Sequence, residues 1–205
     1  MLLKQAASIL LTTEGTLAYH LVVIITLGLA LVMGRALKSG SRAREFSTWD
    51  LALLGILFMR IALMGYTAFI WMGNLNSTVV LPALDRFVDI SSLLLLSWGL
   101  FHPGESQRWD LGLLGALAIA ALGLLTTVLF TTSGITPYFN RTVADAIWSL
   151  MGFIFCLFLC GWTLAKKVEY RSLHLAGFAL LAAGYGLHLT LGPSDASFAA
   201  LVRWA

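Results

Sequence analysis

Asp85, Arg86 and Asp89 fall within five residues of one another, inside "LPALDRFVDISSLLLLSWGLF" (81–101), a stretch otherwise suited to crossing a bilayer. Two acids and a base there could bind an ionic ligand, pass protons, or pair with other charged groups. Ionisable side chains within a membrane span are costly, so each marks a candidate functional site. Asp85 and Asp89 are four residues apart and share one helix face. Arg86 points about 100° away from Asp85. His20, Arg60, Asp145 and His188 are the other ionisable groups set within long apolar runs. One acid could pair with Arg60 or Arg86, and the other could meet His20 or His188. Trp148, three residues after Asp145, lies on the same helix face and could line the same cavity.

These residues need a scaffold, and composition bounds it. The chain has 205 residues, 59% hydrophobic and 11% charged. A soluble domain carries about 25% charged residues, so a water-soluble globule and a soluble enzyme are excluded. The pattern predicts an all-α integral membrane protein, a single transmembrane helical domain over 1–205. About 20 mostly apolar residues are needed per span. Six segments qualify, at about 17–36, 50–73, 79–101, 110–132, 142–165 and 173–192. The expected fold is thus a polytopic bundle of six complete transmembrane helices, with 195–205 as the start of a seventh span or an interfacial helix. "MLLKQAASILLTTEG" has no clear cleavage site. Leu2, Leu3, Ala6, Ile9 and Leu10 share a face, so it reads as an interfacial amphipathic helix.

The net charge of +3 belongs to loops and does not point to nucleic acid. Arg35, Lys38, Arg42 and Arg44 follow the first span, Arg108 the third, and Lys166, Lys167 and Arg171 the fifth, while the alternate loops are nearly neutral. The positive-inside rule therefore puts the N-terminus outside and the basic loops 35–48 and 166–172 in the cytoplasm. On that topology His20, Asp85, Arg86, Asp89, Asp145 and His188 concentrate in the outer half, and Arg60 lies near the centre of the second span. Two readings stay open: the groups neutralise one another and fix packing, or they line a polar cavity for a small ligand or ion. A proton pathway is disfavoured, because the inner half offers few polar partners to continue it.

Other features carry less chemistry. Cys156 and Cys160 lie four apart on one helix face, a spacing poor for a disulfide. His20 and His188 could ligate haem between helices. His102 and His174 lie in or beside loops and read as solvated. Trp71, Trp98, Trp109, Trp148, Trp162 and Tyr19 read mostly as an interfacial aromatic belt. "NST" (76–78) and "NRT" (140–142) match glycosylation sequons. There is no lysine within a span for a retinal Schiff base, and no phosphate loop, zinc-protease motif or nucleophile elbow.

Several stretches resemble, in order, the amino-terminal membrane region of multi-helix bacterial sensor histidine kinases of Chloroflexus type. They are "LLTTEGTLAYHLVV" (11–24), "LPALDRFVDISSLLLLSWGLFHP" (81–103), "VADAIWSLMGFIF" (143–155), "GFALLAAGYGLHL" (177–189) and "DASFAALVRWA" (195–205). The resemblance implies a signal-input domain of a two-component system in the bacterial inner (plasma) membrane. It singles out Tyr19-His20, Asp85-Arg86, Asp145-Trp148 and His188. A homodimer or larger assembly is expected. Residues 1–205 themselves hold no kinase, GAF or PAS domain, a departure from that family's pattern. The expectation is a sensory domain without catalysis of its own, binding a small-molecule ligand in the outer half and needing no cofactor. The alternatives are a membrane subunit of a redox or photosynthetic complex that binds haem, quinone or pigment, and a transporter fragment.

Overall fold

A computed structural model describes residues 12–36, 47–73, 80–102, 106–132, 139–140, 142–166, 170–191 and 202–203. Among these, six long helices follow in order: α1 (Thr13–Ala36), α2 (Thr48–Trp71), α3 (Val80–Phe101), α4 (Gln107–Thr132), α5 (Val143–Ala165) and α6 (Arg171–Leu191). Val202 and Arg203 are also helical. Five of the long helices are long and apolar enough to cross a membrane, making this a multi-pass membrane protein. Of the six complete spans expected, five meet that measure among the described residues. α3 is long enough at 22 residues, but its three charges set it apart. The expected N-terminal amphipathic helix, the basic positions 38–45, Lys167, Asn76 and most of 195–205 lie outside the described residues.

Local capping explains boundaries that hydropathy misses. α1 begins at Thr13 rather than 17, because Thr12 Oγ1 accepts from the Gly15 amide at 3.0 Å, an N-cap bond. Ser47 and Asp50 form a reciprocal capping box ahead of α2. The buried Asp50 carboxylate accepts there from the Ser47 amide at 3.0 Å. Thr142 caps α5 by accepting from the Asp145 amide at 3.1 Å. In α3, Pro82 sits in the first turn, where its missing amide costs nothing.

Neighbouring helices alternate in direction. The first turns of α1, α3 and α5 meet the last turns of α2 and α6 at one end, here called the charged end. The far end gathers Phe101 of α3, Trp109 of α4 and Trp162 of α5, whose rings lie 6.2–6.3 Å apart. The strongest packing joins α5 to α6, α2 to α3 and α1 to α2, and α3 also touches α4 and α5. α3 is therefore the central helix, and no residue from Val80 to Phe101 is exposed. α1 and α4 lie at the periphery and present Leu, Ile, Val and Phe outward. The one helix too charged to face lipid is the one the others surround.

Small residues make the close contacts, as expected where helices pack without a hydrophobic drive. Tyr185 of α6 lies against Gly152 of α5, and Phe153 of α5 lies against Gly186 of α6. A Cβ on Gly152 would stand 2.5 Å from the Tyr185 ring. At the far end, a Cβ on Gly99 would stand 2.8 Å from that of Ala52, so α2 and α3 approach backbone to backbone there.

Candidate functional site at the charged end

Of the eight residues singled out from sequence, seven form buried ionic contacts here. The deepest contact is Arg60 of α2 with Asp89 of α3, Nη2 to Oδ1 at 2.6 Å. Asp89 lies nine residues into α3, so at 1.5 Å per residue the pair is about 14 Å below the helix start. That is near mid-depth of a hydrocarbon core about 30 Å thick. A charge-assisted bond of this kind is among the strong ones, and neither group has water to fall back on.

The second contact is centred on Asp145. Arg86 of α3 donates from Nε at 3.1 Å and from Nη2 at 2.9 Å to its Oδ1. His188 of α6 sets Nε2 3.1 Å from Oδ2. Arg86 Nη2 also donates to Asn140 Oδ1 at 3.1 Å, and its guanidinium stands 5.9 Å from the Phe139 ring. One arginine thus ties α3, α5, α6 and the turn before α5 together. Asp145 sits one turn inside α5, where the helix dipole also favours a negative charge.

The third contact is shared most widely. Asp85 Oδ2 accepts from Arg203 Nη2 at 3.0 Å and lies 3.5 Å from Arg86 Nη1. Its Oδ1 faces His20 Nε2 of α1 at 3.8 Å, beyond hydrogen-bond range. Arg203 also donates to Thr16 Oγ1 at 2.9 Å. The Tyr19 ring lies 5.0 Å from the Arg203 guanidinium and 6.0 Å from that of Arg60, within cation–π reach of both.

The inventory balances. Among the described residues, Arg60, Arg86 and Arg203 face Asp85, Asp89 and Asp145, three cations against three anions. Burial of unpaired charge would be prohibitive, whereas burial in matched pairs is tolerated. Hydrogen bonding is less complete. Both ring nitrogens of His20, Asp85 Oδ1, Arg86 Nη1 and the Nε and Nη1 of Arg60 are buried without a partner. Such an arrangement can admit water or a small polar solute, or change partners. The two imidazoles each turn Nε2 toward a carboxylate, which gives His20 and His188 a place in the ionic network. Among the described residues, no group of three His, Cys, Asp or Glu is placed to hold a metal ion.

Trp148 does not join the ionic contacts. Its indole Nε1 donates to Thr127 Oγ1 of α4 at 2.9 Å, and its ring packs over Gly123. A shared face with Asp145 did not decide which neighbour that face meets. Two residues of the network escape sequence reasoning. Arg203 sits in what reads as the start of a span, and its signal was a lone arginine in an apolar stretch. Asn140 reads as a glycosylation sequon, but its amide is buried on Arg86. The reading of His102 as solvated is corrected too. Its side chain is 4% exposed, held by the Trp98 ring at 5.3 Å and by Asp110 at 3.1 Å.

Comparison of the chain with protein-family models, with curated proteins and with solved structures finds no match.

Proposed function

We propose that this chain is a membrane-embedded signal-input domain whose switching element is the ionic network at the charged end. In this reading α3 is a sixth span sheathed by the others. The charged end faces outward, the basic loops 35–48 and 166–172 lie in the cytoplasm, and the bundle works as a homodimer or larger assembly in a bacterial plasma membrane. A small ligand or a change of membrane state would favour one pairing of the charges, and the helices would pass that shift to a cytoplasmic output of the histidine-kinase type.

The observation that carries this reading is the crowding of Asp85. Arg203, Arg86 and His20, from three different segments, stand at 3.0, 3.5 and 3.8 Å from one carboxylate. Donors of Arg86 and Arg60 remain unbonded nearby. Alternative pairings that differ little in energy give two packings between which a stimulus can choose, provided it has differential affinity for them.

The test uses the full chain in lipid nanodiscs, with Cys156 and Cys160 replaced by serine and spin labels at positions 35 and 166. Two distance populations are expected, with Asp85→Asn changing their ratio while thermal unfolding shifts little. A single population in both proteins, with Asp85→Asn lowering stability alone, would reduce the network to a packing device. Purified protein carrying a Soret band or pigment absorption would instead favour a subunit of a redox or photosynthetic complex.

A further inference from the structure

The geometry points to a binding site for one acyl chain of an anionic phospholipid, in the cleft between α4 and α5 with the head group at the far end. The inference is independent of the signalling proposal.

α4 packs on α3, and α5 packs on α6 and α3, but α4 and α5 make little contact with each other. Between them three adjoining cavities run along the bundle. The first, about 310 Å³, is walled by Trp98, Phe101, Trp109, Phe158 and Trp162. The second, about 450 Å³, shares Leu94, Ala116, Phe155 and Phe158 with it. The third, about 520 Å³, continues through Ile119, Ala120 and Met151 to Phe130 and Val143. From Trp109 to Phe130 the groove covers roughly 31 Å of helix, the thickness of the hydrocarbon core. A narrow, continuous, apolar slot of this shape suits a flexible hydrocarbon chain.

Charge decides which end takes the head group. Arg108 lines the cavity at the far end. Lys166 sets Nζ 5.4 Å from the Trp162 ring, which walls the same mouth. Both cations are exposed. Asp110, also at that end, is engaged by Trp98 at 3.0 Å and by His102 at 3.1 Å. Among the described residues, no cation lines the cavity at the other end. An anionic head group therefore has partners at the far end. From there an acyl chain passes the aromatic wall and runs down α4 toward Ala120, about 16 Å from Trp109.

The experiment places the full chain in phosphatidylcholine nanodiscs containing a small fraction of lipid brominated at mid-chain. Quenching of tryptophan fluorescence is the readout. Brominated phosphatidylglycerol is expected to quench severalfold more than brominated phosphatidylcholine at equal mole fraction. The double variant Arg108→Gln/Lys166→Gln should bring the two lipids level. Gly112→Leu should abolish the preference by filling the slot, since a Cβ there meets nothing within 4 Å. Ala116→Phe is the second filling variant if the first perturbs folding, as judged by helical circular dichroism. Equal quenching by the two lipids in wild type would overturn the site. So would a preference that survives both filling variants, or a neutral isoprenoid quinone that relieves quenching by both lipids alike.

Discussion

The two ends of this bundle solve the same problem in different ways. At the charged end, helices are held by directional bonds between matched charges, and the interior is closed around groups at most 9% exposed. At the far end, they are held by aromatic rings, by a backbone approach at Gly99, and by a half-exposed Asp110 that accepts from Trp98 and His102. Beside those rings is the Arg108-lined mouth of the cleft between α4 and α5, which runs on to Phe130 and Val143. Ionic contacts fix orientation and punish mismatch, because an unpaired charge has nowhere to go. Dispersion contacts tolerate gaps, because each lost contact costs only tenths of a kcal/mol. The first end is suited to a discrete change of partners, the second to adaptable occupancy.

The contrast predicts a hierarchy of costs. Arg60→Ala strands Asp89 at mid-depth and should destabilise the bundle by about 3–5 kcal/mol, read as loss of folded protein in detergent titrations. Arg60→Leu/Asp89→Leu should recover most of that loss. Failure to recover would mean that the pair supplies more than charge balance. Next comes Gly152→Ala, whose added methyl collides with Tyr185; overpacking of this kind costs about 1–3 kcal/mol. Gly28→Ala, where the added Cβ meets nothing within 4 Å, is the matched control and should leave unfolding unchanged. Trp148→Phe removes the donor to Thr127 and should cost about 1 kcal/mol, with the α4 side loosening first in hydrogen exchange. At the far end Asp110→Ala should cost less than about 1 kcal/mol. A loss there as large as that of Arg60→Ala would erase the distinction between the two ends.

How much of this was legible in the sequence differs by level. Hydropathy located the helices to within a few residues, because lipid-facing surface and helix length are both written into composition. It could not see caps, which is why Thr13 precedes the expected start of α1. The charged residues were found one by one, since ionic groups stand out in apolar runs. Their partners were not. Arg60–Asp89 was one of several pairings consistent with helix phase, and helix phase says which face a residue occupies but not which helix lies opposite. Arg203 was hidden for the same reason, since its partner Asp85 lies 118 positions away. Trp148 carried a misleading signal, because its face is shared with Asp145 yet opens toward α4. The central place of α3 was implicit in its charges, because a helix bearing them must be surrounded.

That placement has a bearing on how the protein is made. Charged residues near the centre of a helix oppose its release into lipid by about 2.5–3.5 kcal/mol each on insertion scales. A segment bearing Asp85, Arg86 and Asp89 is thus a poor candidate for entering the bilayer alone. α2 emerges first and presents Arg60 at the depth where Asp89 must settle, so the two helices form a natural hairpin for joint release. Asp85 and Arg86 find Asp145, His188 and Arg203 only after α5, α6 and the segment beyond have been synthesised. Until then those two charges need shelter from the insertion machinery, so biogenesis of this bundle should depend on a chaperone for polar spans more than that of a bundle built of apolar helices alone.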